Sequence, residues 1–394
     1  MTATVSKWAR RYVLASVFAL LCWQVGALVG APTRTEVVLG VFGFVLHMIF
    51  GKAYALVPAY FESQLAFSRG PAVQFPFVVG GTAGLAASSL DVGPAWVAPA
   101  SAGLWLFGVA VFVATLGVTI APNVYKGETG TGEHNAALRP IDRLANAFVP
   151  VALSYLLVGS YETAALYGAV PPIFDGVSAQ ASHLLAAGTG ALLVFALGFR
   201  LLPRFLGARP PVWAVQIVLP AATVGPALIV VGIATPSLLL VGALLEAIAV
   251  CLFALALFRM GIQSDRRRIG IYGVLAGAVF GVGGVLVGVS FAFDTAAITG
   301  PMTMLHLRFN VLGFLGLTII GMAYQFYPPS IGRFRGSSNR TAFVSIFGIA
   351  LGLLFHAASV LAGSDGLATV GTLSTLGGSI AYAYLLLSVF ATRK

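Results

Sequence analysis

Two histidines open apolar stretches in the same register. His306 is followed by Gly313 and Gly321, seven and fifteen residues on, and His183 by Gly190 and Gly198 at the same two intervals. Neutral imidazole is the commonest protein ligand for metals and the usual axial ligand of haem iron. Two imidazoles at matching depth on separate helices therefore suit a flat cofactor held between them. For any single histidine in a membrane, a hydrogen bond to a carbonyl or hydroxyl is the competing role. Close packing explains the shared glycines, but not two histidines one turn inside the same face, so His183 and His306 are favoured as ligands.

Other ionisable groups fall within apolar stretches: His47, Lys52, Glu162, Glu246, Arg308 and His356. Each is costly in hydrocarbon and is by default a functional candidate. His47 and His356 lie deeper than the first pair and within roughly 10 Å of each other along the membrane normal, which makes a second haem or metal site between them conceivable. Lys52 and Glu246 suit a buried ion pair or a proton-relay station, although snorkelling of Lys52 toward one face is the stronger expectation. His134 falls in a polar, glycine-rich connection, about 122 to 142, where a solvated side chain is expected. Cys22 and Cys251 stand alone in apolar stretches, leaving neither a disulfide framework nor a CxxC metal site.

These residues have to be positioned by membrane helices. Of 394 residues, 59% are hydrophobic and only 9% charged, with mean hydropathy +0.96, and soluble domains carry nearer a quarter charged residues. A water-soluble enzyme is excluded. Apolar stretches fall at about 11 to 30, 35 to 60, 73 to 90, 97 to 121, 143 to 168, 180 to 205, 211 to 234, 237 to 258, 269 to 291, 303 to 328, 341 to 363 and 367 to 391. Each is close to the roughly 20 residues a spanning helix needs, so the sequence predicts an all-α polytopic protein of twelve transmembrane helices in a single membrane domain. The first has a basic flank (Lys7, Arg10, Arg11) and a small-residue exit at Gly30-Ala31, features shared with signal peptides. Its apolar run is longer than a usual signal core, so an uncleaved helix is preferred.

The net charge of +10 comes from basic residues scattered between apolar stretches, without the aromatic-interleaved patch of a nucleic-acid surface. With the N-terminus on the cytoplasmic side, the even-numbered connections and both termini hold 19 of the 22 lysines and arginines, including Arg69, Arg139, Arg204, Arg266 to Arg268, Arg333, Arg393 and Lys394. Only Arg34, Arg308 and the intrahelical Lys52 depart from that side. A bias this strong predicts both termini in the cytoplasm of a cell-membrane protein, with the lipid bilayer as its first partner.

The second, sixth and tenth stretches share a pattern. At a constant offset of 270, Gly43-Phe44 aligns with Gly313-Phe314, Gly51 with Gly321, Ala53-Tyr54 with Ala323-Tyr324 and Pro58 with Pro328, while Glu36 takes the place of the histidine. Twelve helices then read as three pseudo-repeated four-helix sets, at about 1–121, 143–258 and 269–391.

The stretch His306-Leu-Arg308-Phe-Asn-Val-Leu-Gly313-Phe314 through Gly321-Met-Ala-Tyr324-Gln-Phe-Tyr-Pro328 resembles the tenth helix of subunit I in haem-copper oxidases, especially the C-type oxidases and nitric oxide reductases. Gly51-Lys-Ala-Tyr-Ala-Leu-Val-Pro58 resembles the end of their second helix, and His183-Leu184 with Gly188 the start of their sixth. The resemblance implies that His306 is the axial ligand of the high-spin haem and His183 a copper ligand. It also exposes departures. Arg308 stands where the family's second tenth-helix histidine holds the low-spin haem, and Glu36 or Val37 where its second-helix partner would be. Pro211 to Ala234 contains no histidine for copper, and Ala187 replaces the expected glutamate. Arg308 and Glu36 are expected to pair across the two helices and close the vacated haem space.

These features predict a divergent haem-copper oxidase subunit I-like protein that binds one haem and lacks a complete three-histidine copper site. It would act in respiratory redox chemistry, gas sensing or the response to nitric oxide, with respiratory electron-transfer proteins as partners and without full oxidase activity. A transporter on the same scaffold is the alternative, since repeats and intramembrane charges are transporter features too. A non-catalytic respiratory or assembly subunit is a third.

Overall fold

The computed structural model describes residues 3–266, 268–294 and 298–392, so Arg267, Arg393 and Lys394 of the charge argument lie outside the described residues. Among the described residues every regular element is helical. Eleven helices are long and apolar enough to cross a membrane: α1 (Ala3–Leu28), α2 (Thr33–Tyr60), α4 (Val97–Val124), α5 (Glu133–Leu166), α6 (Ser178–Leu206), α7 (Val212–Gly232), α8 (Pro236–Gln263), α9 (Ile269–Ala292), α10 (Gly300–Phe326), α11 (Asn339–Ala362) and α12 (Asp365–Phe390). Between them α3 (Gly70–Ser89) forms a further helix of 20 residues. Its glycines, serines and Gln74 leave it below the apolarity of the rest. The chain is thus a polytopic helical membrane protein.

Three helices form the centre. In α2, α6 and α10 the most apolar stretch is 83, 67 and 72% buried, against 56% or less in the other spanning helices. Each of the three contains a π-helical segment, Val38–Leu46, Leu184–Ala191 and Phe309–Gly316, and the three segments touch one another in the middle of the bundle. A π turn widens the helix and frees carbonyls from their usual partners. Side chains take up that slack here. Ser16 Oγ donates to the Phe44 carbonyl at 2.7 Å, Thr189 Oγ1 to Leu184 at 3.1 Å, and His47 Nδ1 lies 2.7 Å from the Phe42 carbonyl.

The glycines singled out by their spacing are places where a neighbouring helix touches backbone. A Cβ at Gly43 would come within 2.6 Å of Ala19, and one at Gly51 within 2.7 Å of Tyr12, both on α1. On α10 a Cβ at Gly313 would meet Phe280 at 2.5 Å, and one at Gly321 the Gly270 carbonyl at 2.4 Å, both on α9. α2 and α10 therefore receive the preceding helix at equivalent positions, while Gly188 of α6 receives Tyr155 of α5. Without a hydrophobic driving force between helices in lipid, such close approach supplies the dispersion energy that holds the bundle.

The long connection before α5 departs from expectation. His134, at the start of α5, is exposed, but Thr129 and Thr131 are 4 and 5% exposed because the segment folds back under the ends of α2 and α6. Gly130 takes φ +54° there, and a Cβ would strike the Ala59 carbonyl.

Gly321→Ala should cost about 1–3 kcal/mol through forced separation of α9 and α10, read as a lower midpoint of thermal unfolding in detergent. Gly377→Ala, where a Cβ meets nothing within 4 Å, should leave the midpoint unchanged or raise it slightly.

Candidate functional site

His183 and His306 meet. Their ring centroids lie 6.2 Å apart with planes tilted by 31°. Both rings are half-buried near one end of the bundle, here the histidine end. His183 Nδ1 lies 2.8 Å from the Ala179 carbonyl, and His306 Nδ1 lies 3.0 Å from the Gly284 carbonyl. Since a carbonyl only accepts, each Nδ1 carries the hydrogen and each Nε2 is left with a lone pair, the tautomer of a metal-ligating histidine oriented through its other nitrogen. Room beside His306 is kept by Gly288, where a Cβ would come within 2.9 Å of the ring. Phe291 closes the α9 side with its ring 5.8 Å away.

Between α2 and α10, charge fills the space. Arg308 Nη2 of α10 lies 3.1 and 3.2 Å from the two carboxylate oxygens of Glu36 on α2. Trp23 Nε1 of α1 donates to Glu36 Oε2 at 3.0 Å. On the other side Arg308 Nη1 lies 2.9 and 2.7 Å from the two ring nitrogens of His356 on α11. The side chains of Arg308 and Glu36 are only 11 and 5% exposed. A cavity of about 360 Å³ opens beside this network toward the histidine end, lined by Arg308, His356, Ser359, Asp365 and Thr372 among others. The expected Glu36–Arg308 pair therefore forms, and His356 belongs to it.

His47 does not join His356. Its ring is fully enclosed by Tyr12, Phe50 and Trp105, with centroids 6.0 to 6.3 Å away. Depth along the membrane normal brought the two together in the sequence argument, but direction around α2 separates them. His47 faces Tyr12 of α1 and Trp105 of α4, whereas Glu36, eleven residues earlier on the same helix, meets Trp23 of α1 and Arg308 of α10. No second metal site between His47 and His356 follows from this arrangement.

Lys52 and Glu246 are also apart. The Lys52 ammonium lies over the rings of Phe326 and Tyr327, 4.6 and 4.0 Å from their centroids, at the opposite, basic end. Glu246 is packed against Gly225 of α7, and its Oε1 is buried with no hydrogen-bond partner. Among the described residues Glu246 enters no ion pair. Glu162 instead accepts from the Ile173 backbone at 2.9 Å and fixes the turn after α5.

One network was not anticipated. At the basic end, Asp142 is fully buried between Arg204, with Nη2–Oδ2 2.6 Å, and Arg200, with Nη1–Oδ1 4.0 Å. Arg200 also donates to Asn146 Oδ1 at 2.9 Å and to the Thr129 carbonyl, and its guanidinium stacks 4.1 Å from the Tyr60 ring centroid. Arg200 lies in no inner connection: it sits 3% exposed within α6. An acidic residue in the first turn of a helix, facing two arginines four residues apart, was the available signal.

Among the described residues no three His, Cys, Asp or Glu side chains converge on a metal position. Comparison of the chain with protein-family models and with curated protein sequences finds no match.

Removing one partner of the buried pair leaves an uncompensated charge. Arg308→Met alone should lose about 3–5 kcal/mol, while Arg308→Met combined with Glu36→Gln should recover most of it. Thermal unfolding of the purified variants, with Trp23 fluorescence reporting on its neighbour, measures both.

Proposed function

We propose that the chain is a divergent relative of haem-copper oxidase subunit I, with twelve spans in three four-helix sets and both termini in the cytoplasm. In this reading it binds one haem through His183 and His306 in the cell membrane, and serves respiratory redox chemistry, gas sensing or the response to nitric oxide. The convergence of the two imidazoles carries the proposal. Their ring centres lie 6.2 Å apart, and with both Nδ1 atoms committed to carbonyls each Nε2 would be available to hold the group. The central triangle of α2, α6 and α10, each with a π segment, and the equivalent glycine contacts of α2 and α10 support the three-set reading.

The residues do not fit the rest of the family's cofactor set. The Glu36–Arg308–His356 network occupies the place of a second haem, and a copper site would have one histidine at most. A bound haem would supply one-electron redox chemistry or an iron for a diatomic gas. The protein's part is to hold the two rings by their Nδ1 hydrogens, with Phe291 and the α9 glycines shaping the gap. Electron-transfer proteins would approach from the histidine end.

Protein purified from haem-supplied cells should show a Soret band that falls sharply in His306→Ala and His183→Ala and persists in His134→Ala. A colourless wild-type protein grown with ample haem would overturn the reading.

A transport function is favoured by one observation, the buried and unpartnered Glu246 carboxyl oxygen between α7 and α8. It predicts substrate flux in proteoliposomes that is lost in Glu246→Gln and retained in His306→Ala; the opposite pattern rejects it.

A further inference from the structure

The 360 Å³ cavity beside the Glu36–Arg308–His356 network has two unlike ends. Its volume lies in the range of small-molecule pockets, about 300–1,000 Å³. Asp365, Ala368, Thr369 and Thr372 recur at helical spacing, so one face of α12 forms a wall. Asp365 is exposed at the mouth, where α12 begins, and Thr372 is buried at the floor, two turns further on. The His356 ring packs on the same depth of α12, since a Cβ at Gly371 would come within 3.2 Å of it. Arg308, bonded to His356, therefore lies at the floor as well.

The two ends differ in chemistry. Arg308 is matched by Glu36, whereas Asp365 enters no ion pair among the described residues. The cap of α12 does not use it either, because Ser364 Oγ accepts from the Leu367 N–H at 3.4 Å. At the floor a guanidinium only donates, so one ring nitrogen of His356 accepts from Arg308 and the other carries the ring hydrogen. Guanidinium, imidazole and the Ser359 hydroxyl make the floor rich in donors, while the mouth holds a carboxylate. Between them Leu28, Met304, Leu305 and Val360 are apolar.

We propose that this cavity binds an apolar α-amino acid as its zwitterion, with the ammonium toward Asp365, the carboxylate at Arg308 and Ser359, and the side chain against Met304, Leu305 and Val360. Charge balance carries the choice. A zwitterion adds no net charge to a site that already holds one unmatched carboxylate. A plain carboxylic acid anion would add a second, and a plain amine would leave the donors of the floor unmet. Both ends of the zwitterion make charge-assisted hydrogen bonds, the stronger kind. The spacing agrees. From Asp365 to Gly371 α12 rises about 9 Å, and a hydrogen bond of about 3 Å at each end leaves about 3 Å, close to the separation of the two charges in an α-amino acid. The site uses neither His183 nor His306, so it stands whether or not haem is bound, and binding there is measured without flux.

Purified full-length protein in detergent, titrated with tritiated L-leucine, should bind one equivalent saturably. 4-Methylpentanoate, which lacks only the ammonium, and 3-methylbutylamine, which lacks only the carboxylate, should each compete at least tenfold more weakly than unlabelled leucine. Asp365→Asn, an exposed substitution at the mouth, should weaken leucine at least tenfold, and Ala368→Trp, which fills the cavity, should abolish binding. Absence of saturable leucine binding, equal competition by either analogue, or undiminished binding in Asp365→Asn overturns the proposal. The analogue comparison uses the unaltered protein, so it stands even if a variant fails to fold.

Discussion

A carboxylate and a guanidinium cannot be left unmatched away from water, and the contact between Glu36 and Arg308 answers that constraint across 272 residues of chain. It ties the second helix to the tenth. Trp23 and His356 complete the coordination of the two charges, so α1, α2, α10 and α11 converge on one buried group of atoms. The desolvation cost of such a pair is offset only when the remaining hydrogen-bonding positions are also met. Glu36 is met from two sides and Arg308 from two. The histidine end of the bundle is therefore fixed in register near the place where His183 and His306 face each other, and a misplacement of either helix would break charged contacts before it moved an imidazole.

The second constraint is backbone proximity. The π segments of α2, α6 and α10 touch in the centre, and wide turns there would leave carbonyls orphaned in a dry core. Ser16, Thr189 and His47 supply the missing partners locally. His47 is thus explained by the backbone of its own helix, with its ring packed among aromatic side chains. Glycines then bring α1 onto α2 and α9 onto α10, so that each central helix is supported by its sequence neighbour.

Hydropathy alone located the spanning helices, because each must present apolar side chains to lipid whatever its tertiary neighbours are. The glycine register was legible for a related reason: a contact repeated at equivalent depth leaves the same spacing in α2 and α10, while in α6 the spacing recurs with other partners, Leu315 at Gly190 and Phe253 at Gly198. The meeting of His183 with His306 followed from matching depth once the helices were aligned, and that of Glu36 with Arg308 from the resemblance, which put both beside one space between α2 and α10. Depth says nothing about rotation around a helix, and His47 shows the consequence, facing α1 and α4 when depth had put it with His356. The Asp142, Arg200 and Arg204 cluster was hidden because it depends on a loop folding back beneath two helix ends, a tertiary event without periodic signature.

The charged groups of the central helices, Glu36 and Arg308 against Lys52, Arg200 and Arg204, divide between two rims. On α2, Lys52 follows Glu36 by 16 residues, and on α6 Arg200 follows His183 by 17, a separation of about 24–26 Å at helical rise within a core about 30 Å thick. Between the rims, an apolar crevice of about 120 Å³ lined by α2, α6 and α10 offers only Lys52, already drawn to the basic end, and the Thr318 hydroxyl. A proton moving from the basic end to the histidine pair along this route would meet one hydroxyl in an otherwise apolar wall, and the energetic penalty for charge in hydrocarbon opposes it. Apolar molecules face no such barrier. In the proposed reading, protons and charged partners would reach His183 and His306 from the histidine end, the end at which the 360 Å³ cavity lined by Arg308, His356 and Asp365 opens.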